Sequence, residues 1–471
     1  MIRISKKVFA YPLLFILFLP SLGITLGSIF IPLLFFIEGL FFFSSFFFNK
    51  YFLSDIINLF LKTPCIYLLL FVLWANITVI ISIFTGTFYL KSFIFSCIGG
   101  LLFCVILPIV ISYILNKKLL KPINFIRFYI FICFFIFGLG LIEGIIRPHQ
   151  LDIANAIIGI FNNKRALLLD SDGTTLILNR IKSIFDEPSN LGEFIYLNIP
   201  IVFSLSLTNF KIYTNKIIDS LIKKLLLLLT IINLFLSKSP ISLIFIAIIS
   251  IFFFFERIVK KRRNLMIFSS TLLITIFAII IFAILTSETF SFDIEETYLV
   301  RVIKTIPSLF SLDALIIVEP SLATRIINYG NNLLVFLEHP IFGVGYGNMS
   351  QYILVQMHSS PLPMTLELWR NLTLQIGNVA SAIFYRVMAE TGIIGYLFIF
   401  IFCLKTYFLN KKIIKYSDGL IRHFSIGINA YLVIFMTFVT FYNSNLHNTH
   451  YWLIFGYVFA MRFVMLNRRN V

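Results

Sequence analysis

Apolar runs of about twenty residues recur along the chain, separated by short basic turns. A run of that length crosses the hydrocarbon of a bilayer as a helix, and in lipid only helices and closed barrels satisfy their own backbone polar groups. The runs are continuous rather than alternating, which argues against a transmembrane barrel. Of 471 residues 59% are hydrophobic, 57 are Phe, and the mean hydropathy is +0.97. A soluble domain of this size needs far more polar surface. The expected fold is an all-α polytopic membrane protein.

Candidate spans cover 8–26, 28–48, 65–85, 92–115, 124–146, 191–210, 222–237, 240–255, 265–287, 380–404, 424–443 and 450–467, about twelve transmembrane helices. The basic clusters test the orientation. With the N-terminus inside, Lys50 and Lys62, Lys117, Lys118 and Lys121, Lys211 and Lys216, the run Arg257 to Arg263, Lys411, Lys412 and Lys415, and Arg468 and Arg469 all fall inside. That is the positive-inside pattern. Arg3, Lys6 and Lys7 precede an apolar run without a convincing cleavage site, so the first span is expected to remain uncleaved.

Two long segments then lie outside. Residues 147–190 carry five basic and five acidic side chains, and residues 288–379 carry four basic against eight acidic. The formal charge of +17 is therefore an inner-face property, set by topology and anionic lipid, and does not point to nucleic acid. The expected division is N-terminal transmembrane helices at 1–146, a first outer segment at 147–190, central helices at 191–287, a large outer loop at 288–379 and C-terminal helices at 380–471. The large loop, between the ninth and tenth spans, keeps apolar clusters at Leu315–Val318, Leu333–Leu337 and Ile341–Phe342, so it is expected to be structured. Cys65, Cys97, Cys104, Cys133 and Cys403 all lie in apolar runs, which supports neither a disulfide frame nor a Cys metal site.

Four stretches could carry chemistry. Arg180 to Glu193 contains Asp186-Glu187-Pro188-Ser189-Asn190, a helix start that suits a carboxylate, followed by Glu193 inside a span. Leu236-Ser237-Lys238-Ser239-Pro240 puts a cation on the outer face, either snorkelling or meeting an anionic group. Arg325 lies at the start of a predicted helix over 324–337, which leads to Glu338-His339-Pro340 and the tight turn Gly343-Val344-Gly345-Tyr346-Gly347-Asn348. That turn follows no strand and lacks the Walker Lys-Ser/Thr, so as a phosphate cradle it is weak. Arg386 and Glu390 stand four apart on one predicted helix face, suited to pairing or to substrate. His447 and His450 share a short turn but have no carboxylate or Cys partner for a metal site.

Glu338 to Asn348 resembles the HP-hydrophobic-hydrophobic-GxGxGN turn of the O-antigen polymerase and O-antigen ligase superfamily. Arg180 with Glu187-Pro188-Ser189, the Ser237-Lys238-Ser239 hairpin and Ala389-Glu390-Thr391-Gly392-Ile393-Ile394-Gly395 match its other motifs in order. The resemblance covers about residues 170–410. It implies a metal-independent, lipid-carrier-dependent glycosyltransferase of the bacterial inner membrane, active at the periplasmic face, with no cofactor. Its donor and acceptor would be undecaprenyl-pyrophosphate-linked glycans, and a chain-length regulator and a flippase would be further partners. Ligases of the superfamily carry a His, then Asn, Ser or Gln, nine residues before GxxG. Counting back from Gly392 puts Ser381 and Ala382 there. The missing His favours polymerisation of repeat units over transfer to lipid A core.

On that implied reaction, Arg180, Lys238, Arg325 and Arg386 are the expected pyrophosphate and substrate contacts. Glu187 is the first choice and His339 the second for receiving the acceptor proton, while Gly343, Gly345 and Gly347 shape the turn. The rival from another class is a polysaccharide or lipid transporter. It calls for inverted repeats and midplane charge, and neither is visible. A scaffold in a polysaccharide assembly complex is the third reading.

Overall fold

A computed structural model describes residues 23–26, 29–32, 52–84, 86, 106–116, 120–146, 153, 156–157, 160, 183, 188–206, 208, 211–213, 215–237, 311–318, 320–356, 383–436 and 449–469. Nearly all of these are helical. The exception is a two-stranded antiparallel ribbon of β1 (Gly23–Leu26) and β2 (Ile29–Pro32), with Gly23 opposite Pro32 and Leu26 opposite Ile29. It occupies the end of the expected span 8–26 and the start of 28–48. Those two runs are therefore not each one unbroken helix. Ile24, Thr25, Ile29 and Ile31 are β-branched, and a Gly-Ser link between them is hairpin chemistry. Hydropathy averages over such a short extended stretch.

The helices are α1 (Phe52–Lys62), α2 (Cys65–Phe84), α3 (Leu107–Asn116), α4 (Pro122–Ile146), α5 (Pro188–Ser206), α6 (Lys216–Leu236), α7 (Leu312–Val318), α8 (Pro320–Glu338), α9 (Met349–Gln356), α10 (Ile383–Tyr416), α11 (Gly419–Ile434) and α12 (Thr449–Arg469). Three of them, α2, α4 and α10, are long and apolar enough to cross a membrane, and α5, α11 and α12 contain shorter apolar stretches. The protein is thus a helical membrane protein. The expected spans 240–255 and 265–287 lie outside the described residues. α1 is a helix where only a basic turn was expected. Asp55 in its first turn and Lys62 in its last complement the helix dipole, and Ile56 and Leu59 are buried.

α10 organises the bundle. It packs against α2, α11, α12 and α8. α11 continues to α5, α5 to α6, and α6 to α4, while α12 fills the space between α10 and α3. Tyr451 through Met461 of α12 are buried without interruption, as a helix hydrophobic all round must be. Rings from four helices meet there. Phe402 sits 4.8 Å from Phe455, and Tyr457 lies 5.2 Å from Phe125 and 5.0 Å from Phe424.

A second, smaller core belongs to the large loop. Ile327, Val335, Val344, Met349, Tyr352 and Ile353 close on Ala389 of α10, with Leu312 and Ile316 packed against them. The described part of the loop is thus folded, and it is seated on a membrane-spanning helix.

Candidate functional site

The site begins with a break in α10. Gly392 has φ 66° and ψ −170°, a region essentially closed to residues with a Cβ. The helical hydrogen-bond ladder lapses there, and three buried carbonyls lose their usual donors. An unsatisfied buried carbonyl costs about 1–3 kcal/mol, so a break of this kind survives only with replacements. The Gly-rich turn supplies two of them. Val344 N–H donates to Ala389 O and Gly345 N–H to Glu390 O, each at 2.9 Å. The Trp74 indole N–H, from α2, donates to Thr391 O at 2.8 Å. In return Ile393 N–H donates to Pro340 O at 2.9 Å.

The turn lies so close that a Cβ on Gly343 would overlap the backbone of Ala389 and Glu390. One on Gly392 would overlap Ile341 O. Gly343, Gly345 and Gly347 all have positive φ. The amides of residues 343 to 345 are spent on protein carbonyls, since Gly343 N–H donates to His339 O at 3.0 Å. This turn joins a loop to a helix break and is not a phosphate cradle.

α2 holds the other side of the turn through a stripe four residues apart. Trp74 reaches Thr391, Thr78 Oγ1 accepts from Tyr346 N–H at 3.3 Å, and Ser82 Oγ accepts from Asn348 Nδ2 at 2.9 Å. The hydroxyl protons of Thr78 and Ser82 go to Ala75 O and Val79 O of their own helix, which leaves lone pairs for the turn. Trp74 also stacks on Phe342, with ring centroids 5.5 Å apart. Sequence reading missed this stripe, because 65–85 reads as a generic span. Its signal was three hydrogen-bonding side chains at i, i+4 and i+8 in a largely apolar helix.

α8 carries two separate groups. Near its start, Arg325 stands one turn before Tyr329, and Tyr329 stacks on Tyr385 of α10 at 6.0 Å. Arg386, the next residue, donates from Nε to Glu390 Oε1 at 2.9 Å. Arg325 thus lies one turn along α8 from one ring of this pair, and Arg386 follows the other in α10. At the far end of α8, Tyr352 donates its hydroxyl to Glu338 Oε2 at 3.0 Å and meets His339 Nε2 at 2.9 Å. The hydroxyl has one proton and Glu338 takes it, so His339 must donate from Nε2. Arg325 and Glu338 are thirteen residues apart within α8, about 20 Å along a helix axis. The structure does not bring the Arg325 and His339 groups together.

Of the Arg180–Glu187 stretch, Ser183 alone is described. It is buried at φ 52°, its N–H donates to Glu143 Oε2 at 2.6 Å, and its hydroxyl donates to Ile136 O at 2.8 Å. The Glu143 carboxylate near the end of α4 thus pins this segment to the bundle. Arg180, Glu187 and Lys238 lie outside the described residues, as do Ser381 and Ala382. Glu193 in α5 is 1% exposed, as an ionisable residue within a span should be.

No curated protein matches the chain. Residues 225–400 match the family described as O-antigen ligase. The matched stretch runs from α6 to the break in α10 and includes the Gly-rich turn, α8, Arg386 and Glu390. Members of that family are membrane enzymes of the glycosyltransferase type, and this stretch of the chain is similar to the O-antigen ligase and polymerase superfamily.

Proposed function

We propose that the protein is a polymerase of lipid-linked oligosaccharide repeat units, working at the outer face of the inner membrane. The observation that carries this reading over a ligase is Ser381 at the position where ligases of the superfamily hold a His. The reaction moves a glycan from a lipid pyrophosphate to a sugar hydroxyl on a second lipid-linked unit. Negative charge develops on the departing pyrophosphate, and fixed cations in a poorly solvated site stabilise it. Arg325 and Arg386, each close along its helix to one ring of the Tyr329–Tyr385 pair, suit that role, because a guanidinium grips phosphate oxygens two at a time. Arg180 and Lys238 are proposed to join them from the outer ends of neighbouring spans. Glu187 and His339 are the candidates the motifs offer for the acceptor proton. The length of α8 supports placing His339 apart from the Arg325 and Arg386 cations.

A deletion strain tests the choice of reaction. In an O-antigen background it should display single repeat units on its lipid A core, with transfer intact and chain growth lost. Full-length polymer accumulating on the lipid carrier would instead make the protein a ligase.

A further inference from the structure

Glu390 is the described carboxylate that the bundle holds closest to a proposed cation, and it is only half satisfied. Its residue is 1% exposed. Oε1 accepts from Arg386 Nε at 2.9 Å, and among the described residues no donor reaches Oε2. A buried carboxylate oxygen without a donor is costly, and a carboxylate that served only to close a helical pair would be better replaced by an apolar side chain. The other described carboxylates of the region are occupied. Glu338 is exposed and takes the Tyr352 hydroxyl, and Glu143 holds Ser183. The backbone beneath Glu390 is fixed from across the turn, since its carbonyl accepts from Gly345 N–H two residues before the break at Gly392. A group held this firmly beside a cation, with one oxygen unused, is organised for a donor that arrives from outside.

Resting on the glycosyl-transfer reading above, we propose that Glu390, rather than Glu187 or His339, receives the proton of the attacking acceptor hydroxyl. The hydroxyl oxygen forms a bond to the anomeric carbon of the donor glycan. The bond from that carbon to the pyrophosphate oxygen breaks, and its electron pair leaves with the lipid pyrophosphate. The hydroxyl proton passes to Glu390 Oε2. Arg386 couples the step to substrate. In the resting site its Nε holds Oε1 of the carboxylate at 2.9 Å, and a pyrophosphate that engages Arg386 competes for the same guanidinium.

The test uses the full-length protein in lipid nanodiscs with a lipid-pyrophosphate-linked repeat unit. Glu390→Gln keeps an acceptor oxygen for Arg386 but is a far poorer base. It should lower kcat by about 10²- to 10⁴-fold, with KM for the lipid-linked unit within about twofold and an unchanged unfolding temperature. Glu390→Asp should recover part of the rate. Wild-type turnover in Glu390→Gln overturns the proposal and leaves the polymerase reading standing. Equal loss in both variants with a lowered unfolding temperature also overturns it, because the residue would then act through folding. A wild-type protein that transfers glycan only to lipid A core removes the polymerase reading, and a slow Glu390→Gln with partial recovery in Glu390→Asp then supports Glu390 as before. A wild-type protein that transfers to neither acceptor overturns both.

Discussion

Arg325 and Gly392 matter for opposite reasons, one for its charge and the other for its lack of a side chain. Loss of a charge-assisted contact in a poorly solvated site is worth about 1.5–3 kcal/mol, roughly ten- to a hundredfold in rate. Arg325→Ala should therefore abolish most polymer while the protein still inserts at normal levels. Arg325→Lys should recover only part, because the fork of donors is lost. Lys261→Ala, at a charge expected on the inner face, is the control. Chain-length distributions on gels at matched expression read all three, and wild-type lengths in Arg325→Ala would remove the residue from the mechanism. Gly392→Ala must adopt a Gly-only backbone conformation and drive a Cβ into Ile341 O. A destabilisation of at least about 1–3 kcal/mol is expected, seen as a lower unfolding temperature in detergent. His339 offers a spectroscopic check. Nitrogen-15 spectra should show a proton on Nε2 hydrogen-bonded to Tyr352, and Tyr352→Phe should abolish that bond.

At the scale of elements, the stripe on α2 and the break in α10 form one joint. Replacing Trp74 with Phe keeps an aromatic ring for Phe342 but leaves Thr391 O without its donor. The expected cost is about 1–3 kcal/mol, and limited proteolysis of the 320–356 region should become faster. Unchanged proteolysis would mean that the turn is held without α2. The turn before α6 tests a charge in the same way. Asp219 Oδ1 accepts from the N–H groups of Ile212 and Tyr213, and Oδ2 pairs with Lys223 at 2.6 Å. Burial pushes its carboxyl up, but the Lys223 contact and the two backbone N–H groups pull it down further, so it sits below the ordinary carboxylate range. Its stabilisation is complete above the unfolded-state value of about 3.9 and fades as pH falls through the lower folded value. Asp219→Asn should flatten that acid limb of the stability profile, and an unchanged limb would assign the acid sensitivity elsewhere.

For the whole molecule, the charge pattern makes a claim about sides. Reporter fusions at Asn331 in α8 and at Asn264 in the basic inner stretch should report opposite faces of the membrane. The same face for both would break the span count. The loop that carries Arg325 and His339 was visible in sequence as a polar interruption, and 324–337 as a helix, because polarity and periodicity are local properties. The Gly-rich turn and the Ala389-to-Gly395 motif were equally visible, each as a separate pattern. That they are two halves of one joint was not. Donor and acceptor there lie far apart in the chain, and nothing near Gly392 says which amides will replace its lost ladder. The ribbon at 23–32 was hidden for a different reason, since a hydropathy window longer than the strands cannot resolve them.

Membrane residence, the helical class and the likeness to the superfamily followed from the sequence by itself, because each rests on apolar length, basic clusters or short motifs. Tertiary structure alone decided two further matters. It placed the Trp74, Thr78 and Ser82 stripe against the turn, and it left Glu390 Oε2 without a donor among the described residues. Each of these depends on which helix faces which, and a hydrogen bond between distant segments leaves no mark on the local spacing of residues.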